Sequence, residues 1–239
     1  MSLAARVTAA ADQGGPRFLD RRFDSAGAVV SCPGNTVIAH IYDPAVLDIL
    51  TDAQARLAET EAGGCFAWLP RASLHCTQFN GLIYAERSAA HWPSGLALDA
   101  TRAAADAFMR DAFEATEVPD TPFVVTPTRF YGQADDALGL GLAAMDAANP
   151  GMRAYRDALA TAAGLAHRPG HADYEFHITF AYLIRWPSIA AAEAFDAVTD
   201  TVLADVKAAL PNIRFDQSEF CHFEGMTHFA VQSAKPLAR

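Results

Sequence analysis

Two short stretches of this chain carry side chains suited to moving protons around a phosphate. One is Leu74-His75-Cys76-Thr77-Gln78-Phe79 and the other is Glu175-Phe176-His177-Ile178-Thr179-Phe180-Ala181-Tyr182. Each holds a histidine and a threonine separated by one residue. Side chains alternate across a strand with period two, so a strand would put each His and its Thr on one face. In the second stretch the other face reads Phe176, Ile178, Phe180 and Tyr182, an apolar set fit for a core. Tyr182 is thereby expected to point away from His177.

Two imidazoles on opposite sides of a phosphate can divide the work of general base and general acid. The neutral one takes a proton from water or a hydroxyl, and the protonated one gives a proton to the departing oxygen. A threonine hydroxyl on the same face can donate to a non-bridging oxygen and stabilise charge there. This chemistry needs no metal and no cofactor. A lone His-x-Thr is a weak signal in a chain with eight histidines. Its weight here comes from the elements around it.

Those elements recur. Asp43-Pro44 opens a helix, with Asp43 as N-cap and Pro44 at the first helical position, and Asn149-Pro150 opens another in the same way. Val46, Leu47, Leu50, Leu57 and Ala58 form the apolar stripe of the first; Met152, Tyr155 and Leu159 form that of the second. Trp92-Pro93-Ser94 and Trp186-Pro187-Ser188 each read as a helix start following a His-x-Thr strand. Phe130-Tyr131-Gly132 and Phe223-Glu224-Gly225 read as equivalent turns. The landmarks keep their order at a spacing of roughly 100 residues, too long for a solenoid.

The pattern predicts an α+β protein: a duplicated, bilobal, pseudo-two-fold fold in which two antiparallel sheets flank a central cleft with helices outside. Residues 1–17 read as a loose N-terminus and 18–239 as one bilobal domain, with repeats at about 36–132 and 136–231. Ala28-Val29-Val30 and Thr36-Val37-Ile38-Ala39 read as a hairpin turning at Pro33-Gly34-Asn35. Phe123-Val124-Val125 and Leu138 to Leu142 read as partner strands, and the chain closes on a hairpin expected to complete the N-terminal lobe.

Composition sets outer bounds. At 239 residues, 51% hydrophobic and 19% charged, the chain can bury a sizeable core. A net charge of −10 argues against wrapping a long nucleic acid duplex. Cys32, Cys65, Cys76 and Cys221 are scattered and form no C-x-x-C pair, which fits reduced thiols. No run approaches membrane-spanning length, and the chain reads as a soluble, cytoplasmic protein. Oligomeric state is left open, a monomer being compatible.

The paired motifs, half a chain apart in a duplicated α+β pattern, resemble the 2H phosphoesterase superfamily, which includes RNA 2′,3′-cyclic phosphodiesterases and the 2′-5′ RNA ligases. The Pro33-Gly34-Asn35-Thr36-Val37-Ile38 stretch is similar to that of a little-characterised bacterial branch of unknown function. The resemblance spans about residues 18–235. It implies His75 and His177 as the catalytic pair and Thr77 and Thr179 as phosphate binders. It also implies a small nucleotide or short RNA end as substrate. The superfamily pattern has an apolar residue after the threonine; Phe180 complies and Gln78 departs.

Further candidates for substrate contact are Arg71, Arg185 and Tyr84. Arg129 and the aromatic residues Phe79, Tyr131 and Tyr182 are open to substrate or core roles, as are the loop residues His167 and His171. Two rival readings stand beside the esterase: a non-catalytic nucleotide-binding module of the same fold, and a metallohydrolase using His75, His177 and one of His40, His222 or His228.

Overall fold

The computed structural model describes residues 2–10, 14–131, 136–144 and 150–237. Among the described residues nine strands form one antiparallel sheet: β1 (Gly34–His40), β2 (Phe66–Trp68), β3 (His75–Ile83), β4 (Phe123–Tyr131), β5 (Ala137–Ala144), β6 (His177–Leu183), β7 (Ile213–Phe215), β8 (Gln217–Gly225) and β9 (His228–Pro236). Their order is β7-β4-β5-β6-β3-β1-β8-β9, with β2 pairing β6. The helices are α1 (Leu3–Ala9), α2 (Pro44–Ala58), α3 (Arg102–Ala115), α4 (Pro150–Ala162) and α5 (Ile189–Ala209). The protein is α+β, as the pattern predicts.

The two expected sheets are joined. β3 and β6 meet edge to edge through a single pair, Cys76 and Ile178. On one side of that seam lie β3, β1, β8 and β9; on the other lie β6, β5, β4 and β7. The C-terminal strands therefore complete the sheet that β1 and β3 begin. β2 crosses in the opposite sense and pairs Phe66 to Trp68 with Leu183 to Ala181 of β6.

Several local expectations meet a different outcome. No hairpin forms before β1. Val29 makes only an isolated bridge to Phe23, while Gly34 and Asn35 lie inside β1, Gly34 paired with both β3 and β8 and Asn35 with β8. Gly34 is there for close approach, not for turning: a Cβ would sit 2.1 Å from the Leu82 carbonyl oxygen. Trp92-Pro93-Ser94 opens no helix either. α3 starts at Arg102 behind Thr101, whose hydroxyl accepts the Ala104 N–H. Trp186-Pro187-Ser188 does open one, Ser188 capping Ala191. The N-terminal stretch holds α1, whose first N–H groups donate to the Asp196 carboxylate at 2.8 and 3.0 Å while Leu3 is buried. Asn149, Gly132 and the Tyr131 side chain lie outside the described residues.

Asp43 caps α2, its carboxylate accepting the Ala45 N–H at 2.8 Å. The main core lies between the sheet and the helices, with Leu50 and Leu57 of α2, Met152, Tyr155 and Leu159 of α4, and Phe195 and Val202 of α5 buried in it. A smaller cluster, including Phe23, Ile38, Cys221, Phe223 and Phe229, lies on the opposite face. All four cysteines are free and buried. Among the described residues no helix is long and apolar enough to cross a membrane.

Candidate active site

The seam between β3 and β6 assembles the two motifs. With Cys76 across from Ile178 in an antiparallel register, one step either way sets His75 across from Thr179 and Thr77 across from His177. Side chains directly opposite on such a pair have Cβ atoms about 4.5–5.5 Å apart. Cys76 and Ile178 point into the core, with no exposed surface, so the four motif residues share the other face. That face opens on a cavity of about 510 Å³ lined by His75, Thr77, His177 and Thr179.

Both strands then break their alternation at the same place. Phe180 has no partner on β5, because Thr179 pairs Gly139 and Ala181 pairs Leu138. Gln78 has none on β1, because Thr77 pairs Ile38 and Phe79 pairs Val37. Each is a β-bulge directly after the threonine, and an extra residue turns the following side chains over. Gln78 and Phe79 are consecutively buried, as are Phe180 and Ala181. Past the bulges, Asn80 and Tyr182 return to the cavity face. This overturns the orientation expected for Tyr182, which strict alternation had aimed away from His177.

A bulge frees a carbonyl, and each is taken by a buried side chain from a helix. Gln54 of α2 donates from Nε2 to the Phe180 carbonyl at 3.0 Å. Arg156 of α4 donates from Nη1 to the Gln78 carbonyl at 3.0 Å and from Nη2 to the Asn80 side-chain oxygen at 3.2 Å. The Gln78 side chain is itself buried and accepts from the Ser218 hydroxyl at 2.5 Å. Its departure from an apolar residue is thus absorbed by a polar partner on β8.

The histidines are oriented alike. His75 Nδ1 lies 2.6 Å from the Ser73 carbonyl, and His177 Nδ1 lies 2.8 Å from the Glu175 carbonyl. A carbonyl only accepts, so Nδ1 carries hydrogen in both rings, and in the neutral tautomer Nε2 is the basic nitrogen. Burial pushes His75 down to about 4, against the lifting effect of its bond to Ser73. Burial also holds His177 below its ordinary value, with the Glu175 carbonyl acting against it and Arg156 adding to the depression.

Their surroundings differ. Phe229 of β9 stands edge-on to the His75 ring, 4.4 Å between centroids. His40 of β1 lies 6.1 Å from His75, and its Nδ1 meets the Glu219 carboxylate at 2.6 Å. Burial works to raise Glu219, but hydrogen bonds from His40 and Tyr42 outweigh it and hold the carboxyl below its ordinary value. His177 instead has Tyr174 at 5.8 Å, and the Arg156 guanidinium lies 3.5 Å over that tyrosine ring.

The other sequence candidates fall elsewhere. Arg71 sits in a 3₁₀ turn, not on a strand, and reaches back to Asp48 at 2.6 Å and the Pro44 carbonyl at 3.1 Å. Arg185 lies past the end of β6 and donates to the Gly64 carbonyl. Tyr84 turns toward α3, bonding Asp106 and Asn35. None of the three lines the cavity. Arg129 pairs with Glu175, and Phe79 is core. His167 meets the Ala89 carbonyl, while His171 lines the cavity and pairs with Asp157. Among the described residues the group able to bring three ligand atoms within 4.8 Å of one another is His40, Glu219 and Cys221, which contains neither motif histidine.

Sequence reasoning missed Asn80, Arg156, Arg168 and Tyr174, all of which line the cavity. For Arg156 a signal existed: it falls on the buried stripe of α4 with Met152, Tyr155 and Leu159, where a charge is out of pattern.

No curated protein matches the chain. A conserved protein of unknown function from Agrobacterium tumefaciens str. C58 is similar in structure, with a TM-score of 0.83, 29% identity and 96% of each chain covered. Usb1 of Kluyveromyces marxianus, solved with uridine monophosphate, aligns at a TM-score of 0.41 and 12% identity over 90% of this chain and 99% of its own. That overlap is too low to compare the two sites. Residues 22–134, which include β1, β3 and the first motif, match the family model described as 2H-phosphodiest, a domain of unknown function (DUF1868), so the resemblance carried by the paired motifs extends to a family model over that stretch.

Proposed function

We propose that the protein is a metal-independent phosphoesterase that opens a cyclic phosphodiester of the 2′,3′-cyclic phosphate type, or cleaves a 2′-5′ linkage, at a nucleotide or short RNA end. The observation that carries this reading is the crossed square of His75, Thr179, Thr77 and His177 on one cavity face, with both Nδ1 atoms tied to backbone carbonyls. A phosphoryl group between the strands would have a basic nitrogen and a hydroxyl donor on each side.

His75 is the general base in this reading. Phe229 and its own burial keep it neutral at pH 7, ready to take a proton from water. His177 enters protonated once the substrate's negative charge is beside it, and gives its proton to the departing ribose oxygen. The bond from phosphorus to that oxygen breaks as the bond to the water oxygen forms, leaving a phosphomonoester. Thr77 and Thr179 donate to the non-bridging oxygens, where charge is held in the transition state.

Turnover of 2′,3′-cyclic nucleotides, 2′-5′ dinucleotides and ADP-ribose cyclic phosphate by wild type, His75→Ala and His177→Ala tests this. The expected result is a bell-shaped pH–rate profile, insensitive to chelator, that both substitutions collapse. Unchanged turnover in both variants would sink the assignment.

A further inference from the structure

The two ends of the cavity differ in chemistry. Past Thr179, on the His75 side, it is lined by Tyr182 and Phe18, 5.2 Å between ring centroids, together with Arg17, whose guanidinium lies over Phe18, and Arg22, which pairs with Glu86 at 3.3 Å. Past Thr77, on the His177 side, it holds Asn80 between two arginines. Arg156 donates to the Asn80 side chain, and Arg168 donates to the Asn80 carbonyl and, at 2.9 Å, to that of His91.

These two guanidiniums have only neutral acceptors. Arg6, Arg56 and Arg102 each meet carboxylates at 2.5–2.8 Å, whereas no ion pair among the described residues includes Arg156 or Arg168. Arg156 is 3% exposed, and its Nε has no partner; neither does the Nε of Arg168. Burying a guanidinium without a counter-charge is costly, and two close together repel. Burial pushes each down to about 10, and Arg156 lowers Arg168 further. Among the described residues the carboxylates that act on them, Asp157 on Arg156 and Glu86 on Arg168, do so from beyond ion-pair distance.

We infer that Arg156, Arg168 and Asn80 form a second anion subsite, which holds another phosphate group of the same substrate beside the one at the two histidines. This rests on the esterase reading and narrows it: the substrate class is a nucleotide bearing a further phosphate, such as a 5′-phosphate, in addition to its cyclic diester. Asn80 lies three residues beyond Thr77 on β3, roughly 10 Å along the strand, a distance that one nucleotide can bridge. The bound anion would supply the counter-charge the two arginines lack. It would also cancel the depressing effect of Arg156 on His177, leaving that histidine better able to carry the proton it donates.

The test compares nucleoside 2′,3′-cyclic phosphates with and without a 5′-phosphate. Affinity is read by calorimetry on His75→Ala protein, which keeps the ligand intact, and kcat/KM is read on wild type. The 5′-phosphate is expected to tighten binding by about 10-fold or more, the scale of charge-assisted bonds to an arginine pair. Arg168→Gln, combined with His75→Ala for the affinity readings, is expected to bring that gain below about threefold while leaving affinity for the ligand without a 5′-phosphate unchanged. Arg156→Lys repeats the test with the positive charge retained but the planar fork removed. Equal affinity for the two ligands, or a gain that survives Arg168→Gln, would overturn the subsite. An affinity gain without turnover of either ligand would leave the subsite standing and reject the esterase.

Discussion

β3 and β6 solve one structural problem twice, with different neighbours. Each holds a histidine by its Nδ1 to a carbonyl two residues back, follows the threonine with a bulge, and hands the freed carbonyl to a polar side chain on a packed helix. The differences lie just outside that frame. β3 has Gln78 at its bulge, Arg156 as clamp and Asn80 beyond; β6 has Phe180, Gln54 and Tyr182. The shared part fixes the two His and Thr pairs on one cavity face, and the unshared part puts Asn80 with Arg156 and Arg168 at one end and Tyr182 with Phe18 at the other. On the proposed esterase reading, the near-symmetric frame would act from both sides of a phosphate, and the asymmetry would decide which way a substrate lies.

The comparison breaks most sharply at the histidines. His75→Ala and His177→Ala are each expected to lower kcat/KM on a 2′,3′-cyclic nucleotide by ~10²–10⁴-fold. The pH profiles should separate them: His75→Ala loses the acid limb, which falls as pH drops toward about 4, and His177→Ala loses the alkaline limb. Loss of the same limb in both would erase the division of labour. Thr77→Val and Thr179→Val come next, each expected to reduce kcat by up to about 10²-fold with the pH limbs unmoved.

The clamps test the frame itself. Gln54→Leu leaves two buried carbonyls, those of Leu69 and Phe180, with one donor fewer each, and denaturant unfolding should show a loss of about 1–3 kcal/mol. Gln78→Leu should be the mildest change, within about 1 kcal/mol, because Ser218 keeps the Tyr155 hydroxyl as a partner and the Gln78 Nε2 has none to lose.

The His75 ring also predicts a pH dependence of stability. Its folded-state value lies below the ordinary value of an exposed histidine, so as pH falls the unfolded chain takes up the proton first. Its contribution is complete above about pH 6.5 and is lost as pH falls toward about 4. Unfolding midpoints across that window should show a shallower acid decline in His75→Gln than in wild type.

Much of this was legible from residue order. Alternation placed each His with its Thr, Asp43-Pro44 marked a helix start, and the closing strands were expected beside the first ones. Gln78 looked like a flaw in the first motif, yet its position after the threonine is where both strands bulge. Arg71 and Arg185 show the converse. Parity with a strand says nothing once the backbone has left the strand, and both arginines settle on nearby acceptors.

By itself the sequence determined that each motif histidine shares a face with its threonine, because period and side-chain type are local properties. The tertiary structure alone decided that β3 and β6 meet at one residue pair, crossing each His over the other strand's Thr. It also decided that Tyr182 turns into the cavity and that Arg156 and Arg168 converge on Asn80. A bulge exists only relative to the strand opposite, and a buried charge is unpaired only relative to everything packed around it. Neither relation is written in neighbouring residues.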